Sequence, residues 1–169
     1  ENRHVDGILD LTVVPAQVAA RVADRAVGVA MAIADALDYV GVLAVELFVV
    51  GGELLVNELA PRPHNSGHWT LDACVTSQFE QQVRAVCGLG LGSTAMTAPS
   101  VAMVNLLGDL WEGGDPDWQV VLDDPRAKLH LYGKTDPRPG RKMGHLTVTS
   151  DVATVAAARA LDLRSGVVR

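Results

Sequence analysis

The chain has 169 residues, a formal net charge of −6, 49% apolar residues and few aromatic ones, which suits one modest domain or two small lobes with a core of Val, Leu and Ala. The acidic balance argues against nucleic acid as a general partner, because a phosphate backbone selects basic surfaces. No apolar run could span a bilayer and no signal peptide is recognisable. Cys74 and Cys87 lack metal-ligand or Cys-x-x-Cys spacing, so we expect a cytoplasmic protein with reduced thiols and no membrane partner.

The first half of the chain alternates predicted strands with predicted helices. Apolar and β-branched residues predict strands over 7–14, 42–50 and 53–59. Apolar residues at helical spacing predict helices over 15–38 and 71–87.

Proline and glycine mark the ends of these elements. Pro15 suits the first turn of a helix. Gly41 suits the C-terminal cap of the same helix. Gly51-Gly52 suits a tight turn between the second and third strands, which would make them a hairpin.

The second half predicts a small β-rich lobe. Residues 88–99 are rich in Gly, Ser, Thr and Pro, so we expect a boundary that separates a unit 1–98 from a unit 99–169. Beyond the boundary we predict short strands over 101–107, 119–122, 128–133 and 143–149, and a helix over 151–161. The chain begins at Glu1 in strand-like sequence, which we interpret as a sign of a fragment or a processed chain.

Each predicted strand of the hairpin carries one acidic residue of interest. Glu46 is isolated in an apolar strand and Glu58 ends the next one, and such carboxylates suit Mg²⁺, which takes hard oxygen ligands. Glu46 opposes Glu58 if the connection has three residues, whereas a two-residue turn sets Glu46 opposite Asn57 and sends Glu58 to the other face. A metal site there therefore demands an odd-length loop or a bulge. The alternative is a solvent-facing acid or a cross-strand ion pair, which is commoner for an isolated glutamate.

Arg62 stands between two prolines directly after the second hairpin strand. If the extended geometry continues, Glu58, Ala60 and Arg62 alternate onto one face. That arrangement would place a guanidinium beside the metal, where it can hold an oxyanion.

Two histidines and two small polar residues occupy the loop that follows. His64 and His68 have the i, i+4 spacing of zinc ligands on a helix, but the polar residues and glycine between them argue against a helix and so against zinc. Asn65, Ser66 and the loop amides resemble an anion or ribose-phosphate cradle. An ordinary polar turn is the alternative for these two residues.

A second group of cations lies near the end of the chain. Lys134, Arg138, Arg141 and Lys142 fall within nine residues of an acidic sequence. Gly and Pro among them predict a tight loop, which can aim Lys and Arg at one phosphate. A solvated charged turn is the alternative.

The chain resembles the 5-(carboxyamino)imidazole ribonucleotide synthase family of the ATP-grasp superfamily, over nearly all of its own length but only the later part of the family's. The resemblance rests on four ordered runs, Gly41-Val42-Leu43-Ala44-Val45-Glu46, Asn57-Glu58-Leu59-Ala60-Pro61-Arg62, His64-Asn65-Ser66-Gly67-His68-Trp69-Thr70 and Arg138-Pro139-Gly140-Arg141-Lys142-Met143-Gly144-His145-Leu146. It implies an α+β fold, with the carboxy-terminal half of an ATP-grasp domain (an antiparallel sheet with packed helices) followed by a small β-rich lobe.

The resemblance also implies an enzyme of purine biosynthesis. The family joins bicarbonate to the exocyclic amine of aminoimidazole ribonucleotide in a reaction driven by ATP, by way of carboxyphosphate, and is commonly dimeric. The implied cofactors are ATP and Mg²⁺. The implied site residues are Glu46 and Glu58 for the metal, His4, Asn57 and Glu58 for the nucleotide cofactor, Arg62, His64 and Lys134 for catalysis, and Asn65, Ser66, Lys134, Arg141 and Lys142 for the substrate.

The family's amino-terminal lobe and the glycine-rich loop that covers ATP have no counterpart in these residues. We therefore expect the chain alone to hold half an active site and to have little activity without that missing portion. A formate-dependent glycinamide ribonucleotide transformylase is the nearest alternative enzyme, because its loop is similar, although it usually continues Asp-Thr-Gly where this chain has Asn65-Ser66-Gly67. A non-catalytic module derived from an ATP-grasp domain is the other alternative, and the charged positions of the runs argue against it.

Overall fold

The computed structural model describes residues 1–168, which form two antiparallel sheets and several helices, so the α+β prediction is confirmed. In chain order the elements are β1 (Asn2–Val5), β2 (Ile8–Val14), α1 (Ala20–Ala36), β3 (Ala44–Val50), β4 (Glu53–Ala60), a 3₁₀ turn (Asn65–Gly67), α2 (Thr70–Ala73), α3 (Gln78–Val86), β5 (Ser100–Leu107), a second 3₁₀ turn (Gly108–Trp111), α4 (Gln119–Leu122), β6 (Ala127–Leu131), β7 (Lys142–Ser150) and α5 (Ala153–Gly166). Within the described range, no helix has the length and apolar character needed to cross a bilayer.

The chain divides into two compact units. The first unit contains Glu1–Ala16, Asp72–Cys74 and the chain from Met96 onward, and the second contains Gln17–Leu71 and Val75–Ala95. The first sixteen residues thus group with the second half of the chain, whereas the sequence places them in a unit 1–98. The reason is a long-range pairing, because β2 lies antiparallel to β5.

The first unit is a five-stranded sheet in the order β1-β2-β5-β7-β6, with α5 packed on one face. Leu11, Val104 and Leu146 lie opposite one another across three strands and are buried. They share a core with Ala156 and Leu163 of α5. Alanines recur along the buried side of α5, which lets the helix backbone approach the sheet closely.

The second unit contains α1, the hairpin β3–β4 and α3, and the hairpin is the whole of the second sheet. The turn of the hairpin is Gly51-Gly52, because Val50 pairs with Glu53. Both glycines have positive φ, of 58° and 85°, a conformation that disfavours residues with a Cβ atom and suits a two-residue hairpin turn.

The ends of α1 differ from the predicted bounds of 15–38. Ala19 is extended, with φ −62° and ψ 141°, and the helix begins after it rather than at Pro15. At the other end Asp38 has a φ of 46°, and the Tyr39 amide donates to the Ala34 carbonyl. This is the pattern of a Schellman cap, so Asp38 takes the role that the sequence assigned to Gly41.

Two further elements differ from the predictions. The predicted helix 71–87 is two helices, α2 and α3, because the Ser77 hydroxyl caps α3 by accepting from the Glu80 amide. The predicted strand 119–122 is wrong, since Gln119–Leu122 forms one helical turn, which the Asp117 carboxylate begins by accepting from the Gln119 amide.

Candidate active site

The two acids of the hairpin lie directly opposite each other. Glu46 pairs with Glu58, whereas the next residue, Leu47, pairs with Val56, so Asn57 is the extra residue of a β-bulge. The structure therefore combines a two-residue turn with a bulge, one of the two solutions that a shared site for these acids demands. The Asn57 side-chain amide donates to Glu46 Oε2 over 3.4 Å.

His64 lies between the two carboxylates. Its Nδ1 is 3.7 Å from Glu46 Oε1, and its Nε2 is 3.9 Å from Glu58 Oε1. The Ser66 hydroxyl lies 2.8 Å from the same Nδ1 and fixes the orientation of the ring. The side chains of Glu46 and His64 are 15% and 13% exposed, against 55% for Glu58. The three side chains thus converge on one face of the hairpin, with Glu58 on its open side.

A buried glutamine, Gln78 at the start of α3, holds the loop that carries His64. Its Oε1 accepts from the His64 amide at 2.9 Å, and its Nε2 donates to the His64 carbonyl at 2.8 Å. The same Nε2 lies 2.9 Å from His68 Nδ1, and the His68 ring packs against Phe79. Gly67 lies against this amide, and a Cβ atom there would be 2.6 Å from Gln78 Oε1, so a larger residue would displace the amide from its contacts with His64. His68 thus faces α3, whereas His64 faces the acids.

Arg62 is not placed by strand alternation. β4 ends at Ala60, and the Arg62 amide folds back to donate to the Ala60 carbonyl at 2.9 Å. The extended geometry that would align Arg62 with Glu58 therefore does not continue, and that prediction is wrong. The Arg62 guanidinium is exposed and donates to the Pro63 carbonyl at 3.1 Å.

The donors of the hairpin fit a hard divalent cation. Glu46 and Glu58 offer carboxylate oxygens from opposed positions, and Asn57 adds a side-chain amide at the bulge between them. Mg²⁺ prefers one or two carboxylates together with water and phosphate oxygens. The residues present match that preference. Asn65 and Ser66 lie in the adjacent 3₁₀ turn, beside His64.

Lys134 lies in the first unit, in the loop between β6 and β7. Its Nζ donates to the Lys142 carbonyl at 2.6 Å and stands 5.4 Å from the centre of the Tyr132 ring. Both contacts order a side chain that is otherwise exposed. The Lys134 ammonium thus lies beside the backbone of Lys142, the first residue of β7.

Arg138 and Arg141 share one acid in the same loop. The Asp136 carboxylate lies 2.9 Å from Arg138 Nε and 3.3 Å from an Arg141 guanidinium nitrogen. Arg141 also donates to the Asp136 carbonyl at 2.8 Å. These ion pairs are half-exposed, and an anion with more charge than a carboxylate can compete for both guanidinium groups.

His4 is an exposed residue of β1. It pairs with Leu9, and the register of the strand shifts between Arg3 and His4. His4, Lys134, Arg141 and Lys142 belong to the first unit, whereas Glu46, Asn57, Glu58, Arg62, His64, Asn65 and Ser66 belong to the second.

Two polar features of the structure have no signal in the sequence. The first is Gln78, whose position directly after the Ser77 cap carries no signal of its contact with His64. The second is a group in the first unit, Asp72, His130, His145 and Tyr132: the pairing of β6 with β7 brings His130 beside His145, and Asp72 contacts His130 from α2.

Comparison with known proteins gives matches over most of the chain. A family model described as the ATP-grasp domain matches residues 1–79, and one described as the phosphoribosylaminoimidazole carboxylase C-terminal domain matches residues 101–159. The N5-carboxyaminoimidazole ribonucleotide synthase of Bacillus subtilis (strain 168) is 53% identical over 152 residues, which cover 87% of this chain and 38% of the relative. The chain thus spans about two fifths of the curated relative that it matches.

Solved structures of proteins with similar names also match nearly the whole chain. The crystal structure of N5-carboxyaminoimidazole ribonucleotide synthetase from Thermus thermophilus matches with a TM-score of 0.87 and 49% identity, over 99% of this chain and 44% of that chain. The N5-carboxyaminoimidazole synthase of Aspergillus clavatus, in complex with ADP and 5-aminoimidazole ribonucleotide, matches with a TM-score of 0.87 and 34% identity, over 99% of this chain and 46% of that one.

Proposed function

The chain belongs to the N5-carboxyaminoimidazole ribonucleotide synthase family of ATP-grasp proteins, as a carboxy-terminal portion, and from this premise we propose that it carries part of the active site of an enzyme that carboxylates aminoimidazole ribonucleotide with bicarbonate and ATP. The single observation that carries the proposal is the convergence of Glu46, Glu58 and His64 on one face of a bulged hairpin. Aminoimidazole ribonucleotide is bound by the Aspergillus clavatus relative, together with ADP.

In this proposal Glu46 and Glu58 hold Mg²⁺, and Asn57 orients Glu46 beside it through the contact of their side chains. When bound, Mg²⁺ offsets the negative charge of the ATP phosphates during phosphoryl transfer. His4 and Asn57 lie toward the nucleotide in this assignment, which rests on the family resemblance.

Arg62 and His64 act on the carbonate-derived anions. Phosphorylation of bicarbonate by ATP gives ADP and carboxyphosphate, which releases phosphate and carbon dioxide, and the amine of the ribonucleotide takes up the carbon dioxide and loses a proton. The exposed Arg62 guanidinium suits the carboxyphosphate, because a planar fork of donors matches a carboxylate or phosphate. His64, which Ser66 orients, suits the proton transfer or the positioning of the anion, and Asn65 and Ser66 supply polar contacts to the substrate.

Lys134, Arg141 and Lys142 bind the ribonucleotide in this proposal. Lys134 faces the reacting end of the substrate, and Arg141 with Lys142 holds its phosphate. Binding the phosphate would draw Arg141 away from the Asp136 carboxylate, to which it is now bound at 3.3 Å. A phosphate dianion is the stronger acceptor, so the exchange is favourable.

A further segment of the same protein completes the site. Phe48, Val50 and Leu55 of the hairpin are exposed by 57%, 59% and 53%, and a hairpin with so much apolar surface is marginal without a covering partner. We propose that the family's amino-terminal portion covers this surface and supplies the remaining contacts to ATP. By the same resemblance we propose a cytoplasmic homodimer.

The proposal is tested in the full-length enzyme that carries this chain, by phosphate release with ATP, aminoimidazole ribonucleotide and bicarbonate. We expect Glu58→Gln and Arg62→Ala each to lower kcat by about a hundredfold or more, the size seen when one charge-stabilising group is lost. Val155→Ala, at an exposed position of α5 in the first unit, is the control and keeps the parent rate. Turnover with formate in place of bicarbonate, or no turnover with either, would overturn the proposal.

A further inference from the structure

A row of polar side chains crosses the sheet of the first unit on the face opposite α5. Leu146 and Leu129 pair across β7 and β6 and pack in the core with α5. His145 and His130, the residues adjacent to them in sequence, also pair directly. Since successive residues of a strand point to opposite faces, both histidines lie on the other face of the sheet.

Asp72 of α2 and three residues of this face touch one after another. Both carboxylate oxygens of Asp72 contact His130 Nε2, at 3.1 Å and 2.9 Å. The His130 ring stacks on the His145 ring, with centroids 4.5 Å apart and an angle of 11° between the planes. His145 Nδ1 in turn lies 2.9 Å from the Tyr132 hydroxyl. The four side chains therefore form one continuous row, which we call the histidine row.

The histidine row ends at Lys134. The Lys134 ammonium stands 5.4 Å from the centre of the Tyr132 ring, within the range of a cation–π contact. The Tyr132 amide donates to the Met143 carbonyl at 2.9 Å, which ties this part of the loop to β7. A shift of the Tyr132 ring would therefore move the surface on which the lysine rests.

A metal site is the obvious alternative for the same residues. Asp72, His130 and His145 each offer a ligand atom, and these atoms lie within 4.8 Å of one another. The lone pair of an imidazole nitrogen lies in the plane of its ring. Because the two rings are nearly parallel and stacked, one ion cannot lie in both planes. The stack therefore indicates packing rather than coordination.

We propose that Asp72, His130, His145 and Tyr132 are positioning residues that hold the Lys134 side chain in the direction needed for catalysis. The catalytic use of Lys134 rests on the proposed function, whereas the positioning itself does not. In this arrangement Asp72 fixes the His130 ring, His130 fixes His145 by stacking, and His145 fixes Tyr132 through its hydroxyl. Tyr132 then supports the ammonium group.

The first experiment measures the reactivity of Lys134 in this chain, without any assay of turnover. A brief pulse of acetic anhydride, read by peptide mass spectrometry, gives the acetylation of Lys134 relative to Lys128, an exposed lysine of β6 that serves as an internal reference. We expect Tyr132→Leu and His130→Ala each to raise this ratio roughly two- to fivefold, the change that corresponds to the loss of a cation–π contact at an exposed site.

Three further variants complete that experiment, and two of them, Leu131→Ala and Asp72→Asn, are controls. Leu131→Ala alters the neighbour of His130 on the opposite face of β6 and should leave the ratio unchanged. Asp72→Ala should raise the ratio, whereas Asp72→Asn, which keeps a hydrogen-bonding partner for His130, should restore the parent value. If His130→Ala and Asp72→Ala give the same ratio as Leu131→Ala, the row is not coupled to Lys134 and the proposal is overturned. The pair Asp72→Ala and Asp72→Asn still decides the question if His130→Ala does not fold, because the two variants differ only in the partner that they offer to His130.

The second experiment uses the full-length enzyme. We expect His130→Ala to lower kcat by about tenfold or more, as misplacement of a catalytic group does, while the KM for ATP stays within about twofold of the parent. A changed acetylation ratio with an unchanged kcat would overturn the positioning role. A parent enzyme with no carboxylation activity would overturn the proposed function instead, and the acetylation ratios would still test the histidine row.

Discussion

In the first unit every residue of β5 from Ser100 to Leu106 is buried, whereas in the second unit Phe48, Val49 and Leu55 of the hairpin are about half exposed. The five-stranded sheet encloses its own core with α5, and the two-stranded hairpin does not. In the first unit the candidate site residues lie on this packed sheet or, like Lys134 and Arg141, in the loop between β6 and β7. The candidate site residues of the second unit are instead held in place by a β-bulge and by one buried glutamine.

The two units therefore differ in what surrounds their side chains. The apolar surface of the second unit is suited to a partner segment. The first unit buries polar side chains, which must then find partners inside the fold. Four predictions test how far the contrast holds, in order of decreasing effect.

The largest effect is expected in the core of the first unit. Leu146 is fully buried against α5, so Leu146→Ala should lower the free energy of unfolding by about 2–5 kcal/mol through lost burial and a cavity. Leu55→Ala in the hairpin, where the side chain is 53% exposed, should cost less than about 1 kcal/mol in the chain alone. Urea unfolding of both variants measures the two values. Equal losses would break the contrast between the units.

The next effect concerns the glutamine that supports the site of the second unit. Gln78→Ala removes the acceptor of the part-buried His64 amide together with the donor to the His64 carbonyl, which should cost about 1–3 kcal/mol. Hydrogen exchange of residues 64–68 should accelerate by the corresponding factor. Gln81→Ala is the matched control, because Gln81 binds the amide and carbonyl of Gly92 in the same way, at 3.0 Å and 2.8 Å. Faster exchange of 64–68 in that control would contradict the assignment.

Two glycines of the second unit should respond to alanine with opposite signs. A Cβ atom on Gly67 would lie 2.6 Å from Gln78 Oε1, so Gly67→Ala should destabilise by about 1–3 kcal/mol through overpacking. Gly28 lies inside α1 with open space around it, so Gly28→Ala should stabilise by up to about 1 kcal/mol, the difference in helix propensity. Thermal unfolding measures both shifts, and a Gly67→Ala variant as stable as the parent would show that the space at Gly67 is not limiting.

The smallest effect is a titration in the first unit. Burial raises the pKa of Tyr132 to about 12, against about 10 in an unfolded chain. The neutral phenol is favoured in the fold, so the stability that it contributes is intact below about pH 10 and is lost as the pH rises toward 12. The difference in phenolate absorbance between the parent and Tyr132→Phe isolates this group. A difference spectrum with its midpoint near pH 10 would show that Tyr132 is not sheltered.

Much of the local structure follows from the sequence, because apolar periodicity and turn residues act over short distances. The hairpin, α5 and the strands β5 and β7 lie close to their predicted positions. The strand predicted at 119–122 failed because a four-residue apolar run is ambiguous, and Asp117 begins a helical turn there. The sequence predicts Gly41 as the helix cap because glycine favours positive φ, but the helix already ends before Asp38, which has a φ of 46° and precedes the capping Tyr39 amide.

The candidate site was only partly predictable. The alternation of strands ties the register of Glu46 and Glu58 to a bulge or an odd loop, and the bulge at Asn57 meets that condition. No local signal links Gln78 to His64, or Asp72 to His130, which is 58 residues away. The grouping of residues 1–16 with the second half was missed for the same reason, since the pairing of β2 with β5 joins distant segments.

The bulge at Asn57 limits how the hairpin can change length during evolution. Eleven residues separate Glu46 from Glu58, and a two-residue turn plus one bulged residue keeps that number odd. Insertions that add one residue to each arm preserve this parity, so the tip can grow or shrink in steps of two. A single inserted or deleted residue at the tip would turn one acid to the opposite face, and only a compensating change in the same hairpin would restore it.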